Sequence, residues 1–214
     1  EHHRMITLRK VSPVSLPGEI ARSEEKNGYV IVLKYENETP KGPWIIDLCH
    51  RPKYDFQMCG KEFKAPMGLK LPTKPGSAVI EKGWLISAVG LSQFSFIHIG
   101  QEKYLPFDEP GFTDLTDGRC LFAVGGRGAP ILMEKFTRMN FNDKKMSSPC
   151  ILQGPMIHTH GQIHIIGEGD DRVFMINLGR GYARSVVHAI LDIGEPYDLK
   201  PAGEDVFTKW VAKR

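Results

Sequence analysis

The stretch Asp114-Leu115-Thr116-Asp117-Gly118-Arg119-Cys120-Leu121-Phe122-Ala123-Val124-Gly125-Gly126 joins an Asp-Leu step to an apolar strand and closes it with glycine. The same order stands earlier at Asp47-Leu48, with strand text to Met58 and then Gly60. A glycine-turned hairpin follows each copy. It reads Trp84–Val89, Gly90 and Phe94–Ile99 in the first, and Ile157–Ile166, Gly167 to Asp171 and Arg172–Leu178 in the second. A supersecondary unit that cannot cover its own apolar face, written twice, implies two halves around one core.

Outward from these copies the chain divides into three. Residues 1–43 read as an N-terminal arm, broken by Pro13 and Pro17, with one alternating stretch at Tyr29–Tyr35. Such an arm adds an edge strand or wraps a partner. Residues 44–194 form the core, as repeats 44–99 and 112–194 with a proline-bearing linker between them. Residues 195–214 are a C-terminal tail whose Phe207 and Trp210 dock on the core or on another subunit. Pro66, Pro72 and Pro75 leave at most one helical turn in Glu62–Pro75. Pro130 suits the first position of a helix with Ile131, Leu132 and Phe136 inward. Ala183, Val186, Val187, Ile190 and Leu191 follow i, i+3, i+4, i+7, i+8 spacing, the strongest helix signal in the chain, and Gly194 is placed to end it. Strands joined by hairpins, with few helices, exclude a doubly wound parallel sheet. The expected class is α+β: two pseudo-symmetric halves and a mixed, mostly antiparallel sheet with flanking helices.

Composition narrows the function classes. The chain has 214 residues, 41% hydrophobic and 25% charged, with a formal charge of +3. These values fit a globular protein with a substantial core. The basic residues are interleaved with acidic ones and form no stripe, which argues against nucleic acid as partner. No apolar run reaches the roughly 18–20 residues of a membrane span. Cys49, Cys59, Cys120 and Cys150 form no C-x-x-C pair, and the first three lie in or beside apolar strand text. The expectation is a reduced, cytoplasmic protein. Glu1-His2-His3-Arg4 before Met5 reads as an appended segment, outside site reasoning.

The sharpest local feature is Met156-Ile157-His158-Thr159-His160-Gly161-Gln162-Ile163-His164. On a strand His158, His160, Gln162 and His164 share one face and Ile157, Ile163 and Ile165 the other. His158 and His160 are therefore candidate metal ligands. His164 lies about 13 Å beyond His160, too far to join them at one ion. The competing reading is a half-buried strand whose polar face meets solvent or a partner. Asp47 and Asp114 read as turn caps bonding local backbone rather than as a catalytic carboxylate pair. His50-Arg51 and Arg180 are candidate anion holders, and Asp170-Asp171 a solvated turn. Gly125-Gly126-Arg127-Gly128 lacks the Lys-Ser/Thr of a phosphate loop and reads as a strand-to-helix turn. Gly-x-Ser-x-Gly is absent.

The run Phe112-Thr113-Asp114-Leu115-Thr116-Asp117-Gly118, then Cys120–Val124, Gly125 and Ala129–Phe136, resembles the gamma subunit of heterotetrameric sarcosine oxidases. So do Asp171–Asn177 followed by Tyr182–Ile190, and in the first half Asp47–Gly60, Leu71-Pro72 and Trp84–Gly90. That family is related to the folate-binding domain of the glycine-cleavage T-protein, an aminomethyltransferase. The resemblance covers residues 44–193 and implies the folate-binding-domain fold. It also implies an accessory subunit, with larger flavoprotein subunits as partners. Tetrahydrofolate and FAD, FMN or NAD are then expected in those partners and none on this chain alone.

The T-protein carries an acidic pair in the strand before its closing hairpin turn, and one of the two is its catalytic acid/base. The matching stretch here, Gly161-Gln162-Ile163-His164-Ile165-Ile166, has no carboxylate, and no catalytic residue is assigned. Two alternatives stand beside the accessory subunit. One is a stand-alone folate-dependent aminomethyl or methyl transferase, with Asn177, Arg180 and Tyr182 at the cofactor. The other is a metal-binding protein using His158 and His160.

Overall fold

The structure is a computed structural model, and it describes residues 9–38, 41–58, 66–141, 147–157 and 159–214. Its strands are β1 (Ile20–Lys26), β2 (Tyr29–Tyr35), β3 (Trp44–Asp47), β4 (Lys53–Gln57), β5 (Ala78–Glu81), β6 (Trp84–Ala88), β7 (Gln93–His98), β8 (Phe112–Asp114), β9 (Arg119–Gly125), β10 (Cys150–Met156), β11 (Thr159–Ile166), β12 (Val173–Gly179) and β13 (Lys200–Pro201). The helices are α1 (Ala129–Phe136), α2 (Ala183–Gly194) and α3 (Glu204–Val211). The class is α+β, with mostly antiparallel sheets and few helices. Only β13 with β3 pairs parallel among the described strands.

Each Asp-Leu stretch proves to be two strands in different sheets rather than one. The break is chemical. Asp47 Oδ1 accepts from the Cys49 N–H at 2.9 Å, and Asp114 Oδ1 accepts from the Thr116 N–H at 2.8 Å. A side chain that bonds its own backbone two residues on replaces a ladder bond and turns the chain. In both turns the backbone closes the same way, Arg51 N–H to Leu48 C=O at 3.0 Å and Gly118 N–H to Leu115 C=O at 3.1 Å. The sequence reading of both aspartates as turn formers agrees with this geometry.

The chain therefore crosses between two sheets twice, and it does so in opposite directions. One sheet has order β5-β6-β7-β4-β8, the other β10-β11-β12-β9-β3-β13. Each takes its hairpin strands and second strand from one half and its next strand from the other half. The two crossing segments lie antiparallel to each other, β3 on β9 (Trp44 opposite Gly125, Asp47 opposite Phe122) and β4 on β8 (Tyr54 opposite Asp114). The expectation of one sheet is corrected to two, stacked face to face.

Three apolar layers follow. Between the sheets lie Ile46, Leu85, Ile97, Leu121, Ala123 and Met175, joined by Phe207 of α3. Outside the six-stranded sheet, Phe122, Ile163 and Phe174 meet Leu132 and Phe136 of α1 and Val186 and Ile190 of α2. Outside the five-stranded sheet, Tyr54, Phe56, Trp84 and Phe96 meet Phe107 from the segment between the halves.

Several local expectations need correction. Ile131 is 55% exposed, and Met133 and Ala129 take the inward positions on α1 instead. Gly194 does end α2, but in right-handed backbone, and glycine is required there because a Cβ would collide with Leu199. The left-handed residue that ends this region is Asp198. β1 was not anticipated: all seven of its residues are exposed, so its text carries no alternation. With β2 it makes a separate hairpin that packs on α3. The tail docks on the core, with Phe207 fully enclosed and Trp210 Nε1 donating to Asp171 Oδ1 at 2.9 Å. No helix is long and apolar enough to cross a membrane among the described residues.

Candidate functional site

Polar side chains enter the space between the sheets from both walls. From the five-stranded sheet come Asp55 on β4, Ser87 on β6, and Gln93 and Ser95 on β7. From the six-stranded sheet come Arg119 on β9, Gln162 and His164 on β11, and Asn177 on β12. The even positions of β11 are the polar ones, as strand alternation requires. The His160 end of that face is exposed, but toward its other end it meets the opposite sheet, and His164 is fully buried against Ser87.

Hydrogen bonds fix this layer. Ser87 Oγ and His164 Nδ1 are 2.9 Å apart. Arg119 donates from Nε to Asn177 Oδ1 at 2.8 Å and from a terminal nitrogen to the Asn177 carbonyl at 3.0 Å. Asn177 Nδ2 donates to Gln162 Oε1 at 3.0 Å. Asp55 accepts from Gln93 Nε2 at 2.8 Å and from Gln57 Nε2 at 3.0 Å. Burial, and then the positive charge of Arg119, push His164 down to about 3. Its imidazole is neutral at any physiological pH.

A serine beside a neutral histidine invites comparison with a nucleophile and its base. A nucleophile–base pair also needs a group that orients the base and a path for substrate. His164 Nε2 has no hydrogen-bond partner, and both side chains have no exposed surface. The pair is therefore a cross-sheet contact that sets the spacing of β6 and β11.

The residues expected to hold a cofactor are not brought together. Asn177 is engaged at both ends of its amide. Arg180 donates to the Val11 carbonyl, which fastens the N-terminal arm, and lies 3.5 Å from the Asp117 carbonyl. Tyr182 is 56% exposed at the start of α2. Of the expected metal ligands, His158 lies outside the described residues and His160 is exposed on β11. Among the described residues no group of three or more His, Cys, Asp or Glu side chains could hold a metal ion.

A groove of about 710 Å³ opens where the β1–β2 hairpin, the Asp47 turn, the segment after β7 and α3 meet. Its floor holds an ion pair the sequence reading missed. Arg51, read as a possible anion holder, pairs with Glu204 of α3, donates to the carbonyls of His98 and Gly100 at 3.2 Å each, and lies over the Phe207 ring at 4.9 Å. Burial alone would raise the Glu204 carboxyl, but Arg51 and His50 beside it hold it below the usual range. His98, on the same floor, is pushed down to about 4 by burial and then by the Arg51 charge. Arg51 and Glu204 lie 153 residues apart, and no local pattern joins them. The groove's remaining charges, Arg22, Lys26 and Lys103 against Glu24, Glu102 and Asp205, balance in sign and select no charged ligand.

No protein-family model matches the chain, and no curated protein matches it. Among solved structures, the fold is similar to a chain of the heterotetrameric sarcosine oxidase from Corynebacterium sp. U-96, solved in complex with pyrrole 2-carboxylate. The TM-score is 0.62 at 14% sequence identity, over 75% of this chain and 87% of that one. The chain thus has a sarcosine-oxidase-related fold. At that identity the likeness is one of fold.

Proposed function

We propose that this chain is a gamma-like accessory subunit of a multi-subunit, sarcosine-oxidase-like amine oxidoreductase linked to one-carbon transfer on tetrahydrofolate. The observation that carries the reading is the fold match to a chain of a heterotetrameric enzyme, extending over 87% of that chain. The two coverages make the matched chain similar in length to this one, so the likeness is to a small chain.

The matched strand orders and the matched Asp-Leu turns support two pseudo-symmetric halves, 44–99 and 112–194, flanked by arm 1–43 and tail 195–214. They also favour the relation to the T-protein folate-binding domain. The interior supports a non-catalytic role. Its polar groups bond one another, and the stretch Gly161–Ile166 supplies an enclosed neutral histidine in place of an acid. Tetrahydrofolate, flavin and nicotinamide would be held by larger flavoprotein subunits. Neither nucleic acid nor membrane would be a partner, and the complex would be cytoplasmic.

Affinity capture of the native protein from its source cells tests this directly. Larger, flavin-coloured chains should copurify in fixed ratio, through an obligate contact burying on the order of 2,000 Å² or more. The isolated chain should show no tetrahydrofolate-dependent turnover of N-methyl amines. Turnover by the lone chain, or its recovery from source cells without larger partners, refutes the reading.

A further inference from the structure

The two crossing segments meet at a pair of thiols. Cys49 lies in the turn after Asp47 and Cys120 is the second residue of β9, and neither has any exposed surface. Their sulfurs are 3.8 Å apart. The register of β3 on β9, Trp44 opposite Gly125 through Asp47 opposite Phe122, continues through the Leu48 N–H to Leu121 C=O bond at 3.0 Å. It brings Cys49, in the turn after β3, beside Cys120, with the two side chains pointing at each other and their sulfurs in contact. Cys49 Sγ also lies 3.4 Å from both the Leu121 carbonyl and the Leu121 N–H. The thiol is thus held between strands, already turned toward its neighbour. Cys49 N–H is fixed by Asp47, and Lys53 Nζ donates to the Cys49 carbonyl at 2.8 Å, so the backbone on this side is anchored.

We infer that Cys49 and Cys120 are a reversible disulfide site that staples the two halves where the chain passes from sheet to sheet. Closing the gap needs small χ1 rotations and no change of strand register. With a peroxide as oxidant the chemistry balances. One thiolate attacks the O–O bond, giving a sulfenic acid and one water. The second thiol attacks that sulfur and releases a second water, so two S–H bonds are lost and one S–S bond is gained. The Cys49 hydrogen bond and burial push the Cys120 thiol up, so its thiolate is scarce and the pair reacts slowly.

The test uses the full chain, as wild type and as C59S/C150S, which keeps only this pair. Each is treated with hydrogen peroxide, alkylated under denaturing conditions and digested without reductant. The expected product is a peptide pair linked through Cys49 and Cys120. It is lost in C49S and in C120S and reversed by dithiothreitol. The loop closed is long, so the melting temperature should rise by roughly 5–10 °C on oxidation. The inference is overturned if native protein keeps both thiols alkylatable under conditions that oxidise the unfolded chain. It is equally overturned if the cysteines end as sulfinic acids, or if wild-type protein links Cys59 or Cys150 instead.

Discussion

The outer face of the six-stranded sheet lies under α1 and α2, whereas that of the five-stranded sheet lies under the extended segment 99–111 and its own rings. The helical cover satisfies its backbone internally and presents Leu132, Phe136, Val186 and Ile190 as an apolar stripe. The extended cover has no such stripe and relies on a few large side chains. Phe107 stacks on Phe112 at 4.2 Å with a 4° interplanar angle, and meets Tyr54, Trp84 and Phe96 at 5.2, 4.9 and 5.3 Å. Aromatic rings remove much area from water per ordered residue, so a short irregular segment suffices where two helices serve on the other side. The two stacked sheets are thus covered by different means.

The largest expected effects test whether the two covers are equally tight. Phe174 under the helices and Phe96 under the linker are both fully buried. Phe174→Ala and Phe96→Ala should each cost about 3–5 kcal/mol, read from denaturant midpoints at constant slope. A Phe96→Ala cost below about 2 kcal/mol beside a full Phe174→Ala cost would mean that the linker collapses into the space or admits water, and the equivalence would fail.

Next comes pH. His98 packs on Trp84 and Tyr104 at 4.9 Å each under the linker, while His164 sits between the sheets. Both folded-state values lie below the ordinary 6.5, at about 4 and about 3. The unfolded chain takes up these protons first. Their contribution is therefore whole above pH ~6.5 and is lost as pH falls toward the folded values. Each histidine should remove about 1.4 kcal/mol per pH unit within that window. Glu204, held low by Arg51, adds its own loss only as pH falls below the ordinary carboxyl range. Replacing either histidine with glutamine should remove about half of the slope between pH 6 and 4.5. A slope unchanged in His98→Gln but halved in His164→Gln would show that the linker cover lets water reach His98 and the inter-sheet layer does not.

The contrast also explains what could be read from sequence. α2 was legible because Ala183, Val186, Val187 and Ile190 state a helical period outright, and β2 because Tyr29–Tyr35 alternates. The hairpins around Gly90 and Gly167 were legible from their turns. The two sheets were not, since the change of sheet at the Cys49–Pro52 turn depends on which distant strands β3 and β4 pair with, β9 and β7, and the local text does not state that. The Arg51–Glu204 pair and the Ser87–His164 contact were invisible for a different reason: each joins residues 77 or more positions apart through packing alone. The alternation of β11 did assign His160, Gln162 and His164 to one face. What lies opposite that face depends on the other sheet, and the strand's own text does not record it.

The smallest expected effect bears on the helical cover. Helical spacing from Pro130 puts Ile131 inward, yet α1 begins one residue earlier, at Ala129, and turns Met133 to the sheet. Ile131 and Met133 differ by about 200° around a helix, so only one of them can face Phe122 and Phe174. Ile131→Gln should then change stability by no more than about 0.5 kcal/mol, since it trades one exposed side chain for another. Met133→Ala should cost about 2–5 kcal/mol. The reverse order would rotate α1 by half a turn on the sheet. It would strip the six-stranded sheet of its Leu132 and Phe136 contacts, and the helical face would become the looser of the two covers.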